Sequence, residues 1–290
     1  MRQMFMYLCT VCTLLVISSC EKVVIPNENE IEEQPTGNLK VSIFQIEKTA
    51  FSTFTRAERP VSDACTRLNF AIYDMDGTRV KQTNQTADDK TFGTASFNLE
   101  QGDYLLVVVG HSSNGNPTMT DPTCIKFTNA QGYTDTFICY AEFTIGDDPV
   151  DMRVSLNRIV ALCRFVISDD FPSDVKKMRF YYTGGSGAFD ASTGLGCVNS
   201  KQEVKFDVST QKQFDLYTFL HDIEGTIHLT VTAQDAAGNE LYNREFDVPM
   251  QQNYITWLTG AFFSGTSSSS TNVTNVTVDT DWAGENHITF

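Results

Sequence analysis

Apolar and polar residues alternate along much of the chain, and helical periodicity is almost absent. Leu39–Ile46 is largely alternating and Leu68–Tyr73 alternates more regularly, which is typical of strands with one buried face. Tyr104–Val109 is continuously apolar, which favours a central strand covered on both faces. Asp74–Gly77 supplies turn residues directly after the second of these segments. The pattern predicts an all-β chain.

The second half of the sequence continues in the same way. Its strand candidates are Val154–Leu156, Ile159–Ile167, Met178–Tyr182, Val204–Val208, Phe214–Leu220, Thr226–Ala233, Glu240–Val248, Tyr254–Phe263, Val273–Val278 and His287–Phe290. Many short strands separated by turns are typical of antiparallel sandwiches or barrels. Between two of these candidates, we expect the glycine-rich segment Gly184–Gly187 to form a flexible surface loop.

The first nineteen residues have the pattern of a secretory signal. A basic residue, Arg2, precedes an apolar run that is too short for a comfortable membrane span, and small residues follow it. The segment Ile17–Cys20 resembles a bacterial lipobox, in which the cysteine thiol is diacylated and then becomes the first mature residue. We therefore predict cleavage between Ser19 and Cys20 and lipidation of Cys20. The alternative is ordinary signal cleavage near a chance cysteine.

An acidic, weakly apolar segment follows, and we interpret residues 20–37 as a flexible tether. The whole chain has 21 Lys and Arg against 36 Asp and Glu, a net charge of −15. Loss of residues 1–19 would remove Arg2 and make the net charge one unit more negative. The negative electrostatic field of so acidic a chain disfavours binding to nucleic acid and to anionic membrane surfaces. We therefore predict no nucleic-acid partner.

Cysteine usage gives no disulfide framework. Five cysteines follow Cys20, which is an odd number, and none forms a CxxC pair. They are Cys65, Cys124, Cys139, Cys163 and Cys197. We expect mostly free, buried thiols, with a pair such as Cys124–Cys139 as the alternative. No histidine stands beside them at ligand spacing, so we predict no metal site.

Candidate catalytic motifs are incomplete. Gly110–Asn114 has Asn114 where a nucleophile elbow needs glycine. Asp74–Gly77 begins like a calcium loop, but Gln85 stands where the final glutamate ligand belongs, and a hairpin turn is the simpler interpretation. The histidines are scattered. We predict no catalytic residue and no cofactor, and therefore that the protein is not an enzyme.

Several segments resemble the Bacteroidales fimbrial anchor and accessory lipoproteins, the FimB-type members of the fimbrillin superfamily. The matching segments are Ile17–Cys20, Leu68–Gly77, Gly102–Gly110, Val154–Ala161 and the closing strands around Trp282 and Phe290. The resemblance implies two tandem transthyretin-like antiparallel β-sandwich domains, at residues 38–157 and 158–290. It also implies a fimbrial location at the cell surface, an outer-membrane anchor through acylated Cys20, and fimbrillin or other fimbrial subunits as partners.

In that superfamily, subunits join when a strand of one is added to a groove in the next, a mode that rests on backbone hydrogen bonds and alternating side chains. Here the residues that alternate as such a strand would are Val276, Val278, Ile288 and Phe290. The alternative is that they complete the carboxyl-terminal sandwich. Polymerising fimbrillins are cleaved after an arginine, for which Arg56 and Arg59 are candidates. Because such a cut would separate the body from Cys20, we expect an anchor to stay intact.

A second hypothesis is a surface lipoprotein that binds glycans or proteins beside a nutrient importer. Sugars stack on exposed aromatic side chains. The candidates for such a platform are Tyr133, Tyr140, Tyr181 and Tyr182. A hydrolase with an unrecognised site is a third and weaker hypothesis.

Overall fold

A computed structural model of the chain describes residues 37–46, 61–128, 130, 132–208, 211–264, 272–273 and 282–290. All of them belong to one structural unit, Pro35–Phe290. The predicted signal peptide, nearly all of the acidic tether and the cleavage candidates Arg56 and Arg59 lie outside the described residues. No helix in the described ranges has the length and hydropathy needed to cross a membrane.

The described part of the chain consists mainly of β-strands, with a short 3-10 turn at Val61–Asp63. The strands are β1 (Leu39–Ile46), β2 (Arg67–Asp74), β3 (Arg79–Thr86), β4 (Thr94–Phe97), β5 (Gly102–His111), β6 (Ile125–Lys126), β7 (Thr136–Ile145), β8 (Val150–Arg158), β9 (Ala161–Ile167), β10 (Lys177–Gly185), β11 (Ala188–Phe189), β12 (Ser200–Asp207), β13 (Gln213–Thr218), β14 (Glu224–Gln234), β15 (Glu240–Gln251), β16 (Tyr254–Gly260), β17 (Asn272–Val273) and β18 (Gly284–Thr289).

The amino-terminal half, β1 to β8, contains a seven-stranded sheet in the order β3-β2-β5-β7-β8-β1-β4. β7 and β8 pair through only two residues each, Phe137 with Arg158 and Ile138 with Asn157, so the sheet bends there into two layers. Apolar side chains from both layers meet in one core. Its largest fully buried members are Leu39, Leu68, Phe70, Ile72 and Phe137.

The carboxyl-terminal half, β9 to β18, has a four-stranded sheet, β12-β10-β14-β15, and a five-stranded sheet, β13-β9-β16-β18-β17. The two sheets enclose a second core rich in phenylalanine. Its fully buried aromatic members are Phe165, Phe180, Tyr182 and Phe214. Alternating side chains of both inner faces fill this core, as in other β-sandwiches.

The two halves repeat one topology. The order β3-β2-β5-β7 in the first half corresponds to β12-β10-β14-β15 in the second, and β4-β1-β8 corresponds to β13-β9-β16. In both halves the first strand pairs in parallel with the last of the seven, β1 with β8 and β9 with β16. The second half then has one addition, β18, which lies on the free edge of β16 with the two-residue β17 beyond it.

A third core lies between the halves. It combines Tyr73 and Val107 from the first half with Phe189, Phe219 and Ile255 from the second. β6 of the first half pairs with β11 of the second, which ties the backbones together at the same place. The halves therefore share buried apolar surface, in addition to the chain connection at residues 159–160.

The predicted all-β fold class and its sandwich packing are confirmed, and β1 has the predicted bounds. The pattern does not predict β3, because it is an edge strand in which Val80 is the one apolar residue and Gln85 the one buried residue. Val273–Val278 was predicted as a strand; β17 covers Asn272–Val273, and the remainder lies outside the described residues. The division into domains 38–157 and 158–290 stays a prediction, and it falls one residue before the end of β8.

The prediction of a flexible surface loop at Gly184–Gly187 is wrong. Gly185, Ser186 and Gly187 are buried between the end of β10 and β11. A Cβ atom at Gly187 would lie 2.6 Å from the Tyr133 hydroxyl oxygen. Glycine is needed here because backbone and side chains of both halves approach closely, which a sequence pattern alone does not distinguish from a loop.

Candidate functional site

The carboxyl-terminal strand β18 carries the described part of the predicted interaction strand. It pairs in parallel with β16 over six residue pairs, from Tyr254–Gly284 to Thr259–Thr289. On its other side, β17 pairs with only Ile288 and Thr289. β18 is therefore the last full-length strand of the five-stranded sheet and is held mainly along one edge.

The apolar residues of β18 and the residue after it pack into their own chain. Ile288 is 4% exposed and belongs to the carboxyl-terminal core. The Phe290 ring stacks on Phe165 with centroids 5.1 Å apart, and the Arg244 guanidinium lies 4.9 Å from its centroid. A Cβ atom at Gly260 would contact the Phe290 carbonyl oxygen and lie 2.7 Å from its Cδ2. Ile288 and Phe290 thus occupy a fitted site within this chain, and their use in strand exchange stays a prediction.

A row of side chains crosses the other face of the same sheet. Arg164 on β9 donates two hydrogen bonds to the carboxylate of Asp215 on β13, at 2.7 and 2.8 Å. The Arg164 guanidinium lies 4.8 Å from the ring centroid of Trp257 on β16, and that ring stacks on His287 of β18 at 5.7 Å and 6°. The stack adds an aromatic contact to the backbone hydrogen bonds that hold β18 on β16.

Among the described strands, none occupies the equivalent edge in the amino-terminal half. β8 pairs in parallel with β1 from Leu39–Val150 to Ile46–Leu156. β7 reaches only Asn157 and Arg158, and no described strand pairs with the outer edge of β8 between Val150 and Leu156. We call this outer edge, residues 150–156, the open β8 edge.

Backbone direction identifies the groups that point to the open β8 edge. The Val150 N–H donates to the Asn38 carbonyl oxygen at 2.8 Å, on the β1 side. Successive residues of a strand direct their N–H groups to opposite edges. The N–H groups of Asp151, Arg153 and Ser155 therefore face the open β8 edge. The side chains of Asp151 and Arg153 are exposed.

Lipidation and part of the predicted strand cannot be located in the fold. Ser19, Cys20, Val276 and Val278 lie outside the described residues. Cleavage, acylation of Cys20 and strand exchange through Val276 and Val278 stay predictions.

The four tyrosines suggested as a sugar platform do not form one. Tyr182 is buried, and its hydroxyl donates to the Tyr217 carbonyl oxygen at 2.8 Å. Tyr133 packs edge-on against Phe219, and burial raises the pKa of its hydroxyl to about 12. Tyr140 and Tyr181 lie on β7 and β10, in different halves of the chain. The structure thus uses two of the candidates inside the protein.

His111, the histidine of the incomplete elbow motif, is a buried structural residue at the end of β5. Its Nδ1 accepts from the Ser113 N–H at 3.1 Å, so its Nε2–H donates to the Asn69 amide oxygen at 2.8 Å. Its ring meets Phe127 edge-on with centroids 5.0 Å apart. Burial, and to a lesser degree the charge of Arg67, lowers the pKa of His111 to about 4. The imidazole is neutral and fully engaged.

The Asp74–Gly77 segment forms the predicted hairpin turn between β2 and β3. Asp74 Oδ1 accepts from the N–H groups of Asp76 and Thr78, at 3.1 and 2.8 Å, and Gly77 has a φ of 82°. Within the described ranges, no group of three or more His, Cys, Asp or Glu side chains is placed to hold a metal ion.

The thiols are arranged differently from the suggested Cys124–Cys139 pair. Cys65, Cys139 and Cys163 are buried and free, as predicted for most of the set. Cys139 lies in the amino-terminal core, whereas the Cys124 sulfur lies 3.2 Å from that of Cys197. Cys197 comes from the opposite half, 73 positions away, so no spacing pattern indicated this contact.

Arg158 is the central polar residue between the halves, and the pattern did not reveal it. It donates to both carboxylate oxygens of Asp135, each at 2.7 Å, and to the Asn253 side-chain oxygen at 3.3 Å. Its guanidinium lies 4.0 Å from the Trp282 ring centroid, and its side chain is only 3% exposed. Asn253 is the described non-glycine residue with positive φ, 61°, at the turn between β15 and β16. The site forms only when four distant segments come together.

One protein family matches most of the chain: the model of DUF6562, a family of unknown function, covers residues 33–290. None of the curated proteins matches it by sequence.

Several solved structures are similar to the chain. A putative adhesin from Bacteroides ovatus has 14% identity and a TM-score of 0.48, with 72% of this chain and 82% of that one covered. A fimbrial assembly protein from Parabacteroides distasonis has 15% identity and a TM-score of 0.40, with coverages of 81% and 93%. The fimbrial anchor protein Mfa2 from Porphyromonas gingivalis has 13% identity and a TM-score of 0.41, with coverages of 71% and 80%. Proteins of the kind that the sequence resemblance indicates are therefore among the structural neighbours.

Proposed function

We propose that this chain, which belongs to the family DUF6562, is a lipid-anchored subunit of a cell-surface fimbrium that joins partner subunits by β-strand addition. The observation that carries the proposal is the repeated topology of the two halves. One seven-stranded unit has an additional six-residue strand, β18, beside its last strand, and no described strand covers the equivalent edge of the other unit.

The open β8 edge has the chemistry that an added strand needs. Three N–H groups and the carbonyl groups between them face outward in a row, and an exposed edge of this kind is a template for pairing with another chain. The incoming strand would gain backbone hydrogen bonds along residues 150–156, and its alternate side chains would determine specificity. Within this same chain, the parallel pairing of β18 with β16 shows how a strand lies on the equivalent edge.

The proposed anchor follows from the lipobox-like segment ending at Cys20. Each buried methylene of an acyl chain contributes about 0.8 kcal/mol, and stable membrane attachment needs more than one chain. A diacylated cysteine would meet that requirement. Because the chain is acidic overall, attraction to anionic membrane surfaces is disfavoured, and the lipid would hold the body at the outer membrane.

A single backbone change tests strand addition at β8. Arg153→Pro removes an N–H that faces the open β8 edge, and it leaves in place the N–H groups that bond β1. Arg153→Thr is the matched control, because it removes the same charged side chain but keeps the N–H. With a fimbrial subunit co-expressed in the native host, we expect Arg153→Pro to lose capture of that subunit and Arg153→Thr to retain it.

Equal capture by both variants, with unchanged folding by circular dichroism, would refute strand addition at this edge. The anchoring role needs its own experiment. In cells with Cys20→Ala, we expect fimbriae to be shed into the medium; fimbriae that stay firmly attached would refute anchoring while leaving the β8 result untouched.

A further inference from the structure

We propose that Cys124 and Cys197 form a disulfide that locks the two halves of the chain together. Their sulfur atoms lie 3.2 Å apart, although the residues are 73 positions apart in sequence. Cys124 is partly exposed and Cys197 is exposed, so an oxidant can reach the pair. This proposal is independent of fimbrial function.

Backbone pairing holds both cysteines in place. Cys124 directly precedes β6, whose Ile125 pairs with Phe189 of β11. On the other side of β11, Phe189 bridges to Gly196, the residue before Cys197. The Cys197 N–H also donates to the Ala188 carbonyl oxygen at 3.1 Å. The two thiols are therefore brought together by β11, which pairs with β6 of the opposite half on one side and bridges to Gly196 on the other.

The other three thiols are in a different environment. Cys65, Cys139 and Cys163 are each at most 9% exposed, whereas Cys124 is partly exposed and Cys197 is exposed. Buried thiols that a reagent cannot reach resist oxidation. The odd number of cysteines after Cys20 thus divides into one accessible pair and three inert thiols.

The oxidation balances with a disulfide reagent as the oxidant. One thiolate of the pair attacks a disulfide RSSR, which forms a mixed disulfide and releases RS⁻. The second thiolate then attacks the protein sulfur of the mixed disulfide, forms the Cys124–Cys197 bond and releases a second RS⁻. Two protein thiols are oxidised, and one RSSR is reduced to two RSH after protonation. The predicted signal would deliver the chain to a compartment where such oxidation is favoured.

The disulfide would close a long loop across the third core. That loop begins beside β6 and Phe127, whose ring stacks on those of Phe189 and Phe219 at 6.4 and 5.9 Å. A cross-link stabilises mainly by restricting the unfolded chain, and the effect grows with loop length. We expect oxidation to make the separation of the two halves harder without changing either sandwich.

Differential alkylation of the full mature chain, purified from cell envelopes, tests the pair. Free thiols are blocked in denaturant with iodoacetamide, the protein is reduced, and newly released thiols are labelled with N-ethylmaleimide. We expect N-ethylmaleimide on Cys124 and Cys197 alone, and iodoacetamide on Cys65, Cys139 and Cys163. Iodoacetamide on Cys124 and Cys197, even after incubation with oxidised glutathione, would overturn the proposal. So would a bond from Cys124 to Cys139 or to a second chain.

Thermal unfolding shows whether the Cys124–Cys197 disulfide stabilises the fold. We expect the oxidised chain to melt about 5–10 °C above the reduced chain. Cys197→Ser should melt at one temperature with or without oxidant, and Cys139→Ser, the matched control in the core, should keep the full difference. No shift between oxidised and reduced wild-type protein would refute the structural role.

Discussion

Mild acid should destabilise this protein through protonation of His111. The folded chain keeps the imidazole neutral, because it is buried and because its Nδ1 is already occupied by the Ser113 N–H. An unfolded chain binds a proton at His111 as the pH falls through its ordinary pKa of 6.5, whereas the folded chain binds it only near 4. The stability that comes from keeping His111 neutral is therefore fully present above pH 6.5, and it is lost as the pH falls from 6.5 to about 4.

The size of the effect follows from the pKa difference. One pKa unit corresponds to about 1.4 kcal/mol, so lowering the pKa from 6.5 to about 4 costs about 3 kcal/mol of unfolding free energy by pH 4. That is a large part of the 5–15 kcal/mol typical of a folded domain. The hydrogen bond from Arg179 lowers the pKa of the Glu203 carboxylate to about 2. Protonation of Glu203 therefore affects stability only at lower pH.

Urea unfolding at pH values from 7.5 to 4.5, on wild type and on His111→Gln, measures this contribution. A glutamine can donate to the Asn69 oxygen, which His111 Nε2–H now does, but it takes up no proton. We expect the variant to be less stable at pH 7.5 and to lose less stability on acidification. The difference between the two slopes isolates His111, because every other titratable group is present in both proteins. Identical slopes for both proteins would refute the argument.

Two further predictions concern the polar contact between the halves and the closing strand. Arg158→Met should lower the unfolding free energy by about 3 kcal/mol, because Asp135 loses both of its hydrogen bonds from the guanidinium. The double variant Arg158→Met with Asp135→Asn should recover part of that loss, as measured by urea unfolding. Equal stability of the single and double variants would show that an unpaired Asp135 carboxylate carries no cost, and it would refute this reasoning. Gly260→Ala should displace Phe290 and cost about 1–3 kcal/mol, with faster amide exchange in β18. The control Gly146→Ala, where a Cβ atom meets nothing within 4 Å, should be neutral, and neutrality at both positions would contradict the fitted site.

The fold class could be predicted from the sequence because strand patterning is local. The alternation in Leu39–Ile46 and the continuous apolar run in β5 each depend on a few neighbouring residues and on which face of a strand is buried. Polar edge strands escaped this signal, as β3 shows. An edge strand is held by backbone hydrogen bonds to one neighbour, so its side chains need not alternate.

The candidate site could be predicted only in part. The alternation of Ile288 and Phe290 identified a strand, but not its parallel partner β16 or the fit against Gly260. The open edge of β8 is a property of strand order, which is set by pairings between segments that are far apart in sequence.

The sequence by itself determined an acidic, all-β chain with no complete catalytic motif, and it predicts a secretory signal over its first nineteen residues. Only the tertiary structure decided that one topology occurs twice, that Arg158 joins the two halves, and that Cys124 meets Cys197 instead of Cys139. The physical reason is that patterning reports which face of a segment is buried, whereas contacts between segments depend on packing across distant parts of the chain.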